Sequence, residues 1–156
     1  FTTETPWEPL QADWKTKNVA AQDSSSRSLL NHYRKLIQLR NANPALNRGS
    51  LTLLGTQDTT GTIVTWLRSW GDEAFLIVVN FGPRESEAYM EKLPRQLLPH
   101  ARDFSDYRME PAYADPDDAC AGYMYLNGNG SWFVKKVKAH GFCALRIGSR
   151  QTPISR

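Results

Sequence analysis

Residues 62–81 read TIVTWLRSWGDEAFLIVVNF. Thr62–Ser69 is rich in β-branched and aromatic residues, which fit a pleated, half-buried surface. Trp70-Gly71-Asp72-Glu73 has the composition of a hairpin connection. Ala74–Phe81 is apolar at consecutive positions, so both of its faces need cover. A run of that kind belongs in the middle of a sheet. This stretch predicts an antiparallel hairpin with its second strand at the centre of a β-rich fold.

Working outward, the pattern repeats. Ser50–Leu54 reads as a short strand after Gly49, and Asp58 to Gly61 as a turn. Gly82-Pro83 stops the central strand. Glu85, Glu87, Tyr89 and Glu91 alternate with Ser86, Ala88 and Met90, the period of a half-buried strand near a sheet edge. Tyr123–Leu126 and Trp132–Val137 flank Asn127-Gly128-Asn129-Gly130, a strong hairpin signal. Gly141–Ile147 forms a last strand. Residues 93–122 read mostly as loop, with one short strand around 104–109. Seven or eight strands at this spacing predict an antiparallel β-sandwich over 48–148, with 149–156 a polar tail.

The front of the chain differs. Residues 1–24 show no periodicity, and Pro6, Pro9, Trp7 and Trp14 mark a long loop. Loops of that length are uncommon unless they do something, and two tryptophans argue against disorder. Ser25 or Ser26 suits a helix cap. Leu29, Leu30, Tyr33, Leu36, Ile37 and Arg40 then recur on one helix face, and Asn43-Pro44 ends the helix. One helix cannot bury its own stripe. It packs on the sheet edge or on protein outside this chain.

The totals exclude some classes. The 156 residues carry 19 Lys and Arg against 16 Asp and Glu, a net charge of +3. The two signs are interspersed without a basic run, which fits a solvated surface and not a nucleic-acid footprint. The longest apolar run, Ala74–Val79, is far below the ~18 residues of a membrane span. No secretory leader is visible and the first residue is not Met, so the chain is expected to be a piece of a longer protein. Cytoplasmic and secreted origins both remain open. Cys143 sits in an apolar run and reads as a buried free thiol, with a disulfide to Cys120 as the alternative.

No catalytic constellation stands out. Asp115-Pro116-Asp117-Asp118 reads as a turn whose side chains bond their own backbone. His32, His100 and His140 are scattered, so neither a metal site nor a cofactor is expected. Phosphate-cradle and nucleophile-elbow patterns are absent from the sequence. Aromatics are the remaining lead. Trp66, Trp70 and Trp132 could offer flat apolar faces to sugar rings, which would make the chain a carbohydrate-binding module. Core or domain contact is the blander role for each.

The front stretch also carries a resemblance. Phe1, Thr2, Pro6, Trp7, Asn18, Val19, Gln22, Ser28, Leu29, Leu30, Tyr33, Arg34, Leu36, Ile37, Leu39, Arg40, Pro44, Leu46 and Gly49 match in order a pattern of the alpha-amylase family, glycoside hydrolase family 13. The pattern is closest to its oligo-1,6-glucosidase, alpha-glucosidase and sucrose-isomerising branch. Val78–Gly82, VVNFG, resembles the family's C-terminal β-domain more weakly. Glu4 departs from the family's usual Gly.

The resemblance implies that residues 1–47 hold the last loop and last helix of a (β/α)8 catalytic barrel, and 48–148 the β-sandwich called domain C. It also implies retaining chemistry by two aspartates and a glutamate, all upstream of the matching segment, so no catalytic residue maps here. This chain alone would be inactive. Phe1 and Trp7 would lie near the active-site mouth. The implied partner is the catalytic barrel of the same protein. The implied substrate of the whole enzyme is an alpha-glucoside or maltooligosaccharide.

Overall fold

The structure is a computed structural model that describes residues 3–5, 7–58, 60–90, 93, 107–114 and 124–149. Phe1, His100, Cys120, the acidic 115–118 cluster and the tail beyond 149 lie outside the described residues. The chain forms two units, Phe1–Gln38 and Leu39–Arg156.

In the first unit the long loop contains a short helix the sequence did not announce, α1, Val19–Asp23. Five residues are too few for an apolar period to show. The helix is set by its cap, for Asn18 Oδ1 accepts from the Ala21 N–H at 2.9 Å. The next helix, α2, spans Leu29–Ala42. Its cap is Ser28, not Ser25 or Ser26: the Asn31 N–H donates to Ser28 Oγ at 3.2 Å. Gln22 joins the two elements. Its Oε1 accepts from the Leu30 N–H at 3.0 Å, and its carbonyl accepts from Ser28 Oγ at 2.6 Å. Asn31 Nδ2 adds bonds to the carbonyls of Gln22, Asp23 and Ser25. Thus Asn18, Gln22 and Ser28, three of the matched positions, do structural work in this unit.

The second unit takes the last turn of α2 and then α3, Pro44–Asn47. Pro44 ends one helix and opens the next, where its missing N–H costs nothing. The strands follow as β1 Ser50–Leu54, β2 Gln57–Asp58, β3 Ile63–Trp70, β4 Glu73–Asn80, β5 Ser86–Met90, β6 Tyr107–Ala114, β7 Met124–Leu126, β8 Trp132–Val137 and β9 Phe142–Ser149. Among the described residues they form two antiparallel sheets, β1-β3-β4-β9-β6 and β2-β5-β8-β7. The fold is therefore β-rich, with few helices. The strand expected around 104–109 begins later and runs longer, as β6. Pro111 falls within it and is tolerated because β6 is an edge strand of its sheet, where a missing donor costs little.

The opening stretch is the β3–β4 hairpin, paired from Ile63↔Asn80 to Trp70↔Glu73. Gly71 takes φ 55° at its corner, a conformation that glycine adopts without strain. Central β4 is buried at every position from Ala74 to Val78. Leu76 and Val78 join a core with Leu67, Leu145, Ala88, Trp132 and Val134, drawn from both sheets. Phe75 and Ile77 point the other way, into a second cluster with Ala45 and Ala144. Each buried large side chain of this kind contributes roughly 1.5–3 kcal/mol over exposure. Cys143, within the first core, is disulfide-bonded and not a free thiol.

Candidate functional surface

The outer face of the five-stranded sheet is laid out by strand alternation and register. Leu53 pairs with Trp66, Trp66 with Ile77, Ile77 with Ala144 and Ala144 with Tyr113, so one apolar row crosses all five strands. A parallel row holds Val64, Val79 and Phe142. Tyr113 and Phe142 stack with ring centroids 5.3 Å apart.

Part of this face is covered by α3, which is tied down by polar bonds. The Ala45 N–H donates to Glu73 Oε2 at 2.8 Å. Arg68 Nε donates to the Ala45 carbonyl at 3.1 Å, and its Nη2 to that of Leu46 at 3.3 Å. Arg146 Nη2 lies 3.7 Å from Glu73 Oε1, which keeps that half-buried carboxylate paired. Beyond the reach of α3, Leu51, Leu53, Val64 and Trp70 remain exposed. In the first unit Leu29, Tyr33 and Ile37, spaced along one face of α2, are also exposed. In proteins generally, large contiguous apolar surface is a feature of binding faces.

The tryptophans do not form one platform. Trp132 is 1% exposed, because its parity on β8 points it into the core between the sheets. Trp66 and Trp70 stand on the outer face of β3, in the other sheet; Trp66 is half-buried against the α3 cluster and Trp70 is exposed. Trp7 is 93% exposed, and Phe1 lies outside the described residues. Among the described residues no group of three His, Cys, Asp or Glu side chains could hold a metal ion. No helix there is long and apolar enough to cross a membrane.

One titratable group is displaced. Burial acts to raise the Asp58 carboxyl, but the N–H and hydroxyl of Thr60 and the N–H groups of Ile63 and Thr62 outweigh it and hold it below its ordinary 3.8. The carboxylate closes the turn between β2 and β3, where Gly61 takes φ 69°. This is structural work that holds the turn.

Comparison with known proteins gives the surface its context. A family model described as Alpha amylase, catalytic domain, matches residues 1–49. A probable alpha-glucosidase of Rhizobium meliloti (strain 1021) is 34% identical over 98 residues, 63% of this chain and 17% of the relative. An oligo-1,6-glucosidase of Parageobacillus thermoglucosidasius is 32% identical over 114 residues, 72% of this chain and 19% of the relative. The chain thus spans under a fifth of the length of these relatives. In fold it is similar to isomaltulose synthase from Klebsiella sp. LX3, at a TM-score of 0.66 and 23% identity, over 94% of this chain and 22% of that one. Relatives named as alpha-glucosidase and oligo-1,6-glucosidase agree with the ordered matches at the front of the sequence, and the chain belongs to the alpha-amylase family, glycoside hydrolase family 13.

Proposed function

We propose that this chain is the C-terminal part of a retaining hydrolase or glucanotransferase acting on alpha-glucosidic bonds, and that its own task is to support the catalytic barrel. In this reading residues 1–47 are the last loop and helix of the barrel. Residues 48–148 are the β-sandwich of domain C, and 149–156 a tail. The barrel is the partner, and Phe1 and Trp7 lie toward the mouth of its active site. An alpha-glucoside or maltooligosaccharide is the substrate of the whole enzyme.

The observation that carries the reading is the pairing of two unpartnered apolar surfaces with the position of the family match. The match ends at residue 49. It covers the helix whose Leu29, Tyr33 and Ile37 are exposed, and stops just before the first strand, β1, which carries the exposed Leu51 and Leu53. Exposed apolar rows on both elements suit a third body that covers them. A Trp66–Trp70–Trp132 sugar platform is less well supported, since Trp132 is in the core.

The test is a graft. Residues 1–156 replace the segment they match in the Parageobacillus thermoglucosidasius oligo-1,6-glucosidase, and hydrolysis of a nitrophenyl alpha-glucoside is followed. The expected result is turnover by the graft and none by the chain alone, which lacks the paired carboxylates of a retaining site. Turnover by the isolated chain, or a folded graft without activity, overturns the proposal.

A further inference from the structure

We propose that Asn127 is a site of spontaneous modification, where the Gly128 nitrogen expels the side-chain amide as ammonia, and that the change loosens the β7–β8 edge of the four-stranded sheet. Two Asn-Gly pairs follow one another in this hairpin turn, Asn127-Gly128 and Asn129-Gly130. Asn-Gly is the dipeptide most open to this chemistry, because glycine has no side chain to keep its nitrogen from the neighbouring side-chain carbonyl. By sequence the two pairs are equivalent. Their surroundings in the fold are not.

In the second pair the nucleophile is tied down. The Gly130 N–H donates to the Asn127 carbonyl at 2.8 Å, and Gly130 is buried. The Gly130 carbonyl is anchored too, accepting from the Leu93 N–H at 2.8 Å. Asn129 Oδ1 accepts from the Ser131 N–H at 2.9 Å and from Ser131 Oγ at 2.8 Å, so its amide cannot swing toward Gly130 without losing both. The first pair is looser. Asn127 is exposed, and neither its Oδ1 nor the Gly128 N–H has a partner among the described residues. Its amide is held there by one bond, from Nδ2 to Ser131 Oγ at 2.9 Å.

The reaction needs water alone. Hydroxide or water takes the Gly128 N–H proton, and the nitrogen attacks Asn127 Cγ. The new N–Cγ bond closes a five-membered succinimide, the Cγ–Nδ2 bond breaks, and the proton leaves with the nitrogen as ammonia. Water then opens the ring. Addition at Cγ gives aspartate; addition at the main-chain carbonyl carbon gives isoaspartate, whose main chain runs through Cβ and Cγ. One water is consumed, one ammonia is released, and nothing is oxidised. Either product places a carboxylate at position 127, and isoaspartate also lengthens the main chain by one carbon. That carbon enters between the two bonds that close the hairpin, Asn127 N–H to the Ser131 carbonyl at 2.9 Å and Gly130 N–H to the Asn127 carbonyl. The adjoining pair, Leu126 and Trp132, is buried, and β7 is the end strand of its sheet, held there by β8.

The test holds the 156-residue chain in mildly alkaline buffer, digests samples over time and follows each asparagine by peptide mass spectrometry, with the same chain in urea as the unfolded reference. In the folded chain Asn127 is expected to convert at least about fivefold faster than Asn129, the factor that one main-chain hydrogen bond supplies. In urea the two rates should converge. Gly128→Ala should slow conversion at Asn127 and leave Asn129 as it was. The converted form, separated by ion exchange, should melt about 2–4 °C or more below the starting protein. No conversion at Asn127, Asn129 reacting as fast in the folded chain, or a preference that persists in urea overturns the proposal. So does a Gly128→Ala variant that converts at the original rate, or a converted form with an unchanged Tm.

Discussion

The side-chain amide of Asn80, in β4, donates to the main-chain carbonyl of Val137, in β8, at 3.0 Å, a bond that joins the two sheets. The same Nδ2 reaches the carbonyls of Arg84 at 2.7 Å and Lys138 at 3.1 Å. Oδ1 accepts from the Gly82 N–H at 2.8 Å and from Thr62 Oγ1 at 2.9 Å. Asn80 is 1% exposed, so water cannot replace these partners. Asn80→Ala is expected to cost about 3 kcal/mol, because it strands several buried groups at once. Asn80→Asp should be worse at pH 7 than at pH 4, since an ionised carboxylate would face carbonyl oxygens. Urea unfolding at the two pH values measures both; a loss under 1 kcal/mol for Asn80→Ala would show that the bridge between sheets is dispensable.

Gly49 lies tight between α3 and β3. A Cβ there would lie 2.4 Å from the Ala45 carbonyl oxygen and 2.6 Å from that of Ser69. Both are backbone atoms held by α3 and by the β1–β3 pairing, so neither can step aside cheaply. Gly49→Ala is expected to destabilise by about 2 kcal/mol or more through overpacking. Gly55 is the control: nothing lies within 4 Å of its Cβ position and its φ is not positive. Gly55→Ala should be neutral or stabilise by about 0.5 kcal/mol. Thermal melts of the two variants separate close approach from loss of glycine as such.

Asp58 sets a pH dependence. Its folded pKa is depressed, so the stability it contributes is present above its unfolded value, near 3.9, and is lost as pH falls through the folded value. Wild type and Asp58→Ala are therefore expected to differ at pH 7, by about 1–2 kcal/mol for the orphaned turn amides, with the gap closing below pH 4. A gap that persists unchanged at pH 2.5 would show that shape, not ionisation, holds the turn.

Much of this fold was legible because its strands obey alternation. The apolar run at 74–81 announced a strand covered on both sides, and β4 faces two clusters. Elements fixed by side-chain hydrogen bonds were less legible. The cap at Ser28 and the helix at 19–23 depend on Asn18, Gln22 and Asn31 meeting across a loop, which spacing alone does not reveal. Trp132 shows the limit for sites. A tryptophan beside a turn looks available, but one step of strand parity decides whether it faces a sugar or the core, and here it faces the core. The disulfide at Cys143 stood only as the alternative to a buried thiol, since two cysteines distant in sequence share no spacing motif.

The exposed stripe on α2 yields the last prediction. Leu29, Tyr33 and Ile37 are 66%, 58% and 54% exposed, which leaves an apolar surface in water. On the isolated chain such a stripe favours self-association; with its partner present it should be the seat of docking. Replacing all three with Gln should change stability little, because each side chain makes few contacts to lose and surface changes usually stay within about 0.5 kcal/mol apiece. Sedimentation of the isolated chain should shift toward monomer. The same three changes in the graft described above should weaken or abolish activity by loosening the barrel. Loss of stability in the isolated chain would place the stripe against this chain's own residues, and full activity of the altered graft would remove it from the barrel interface.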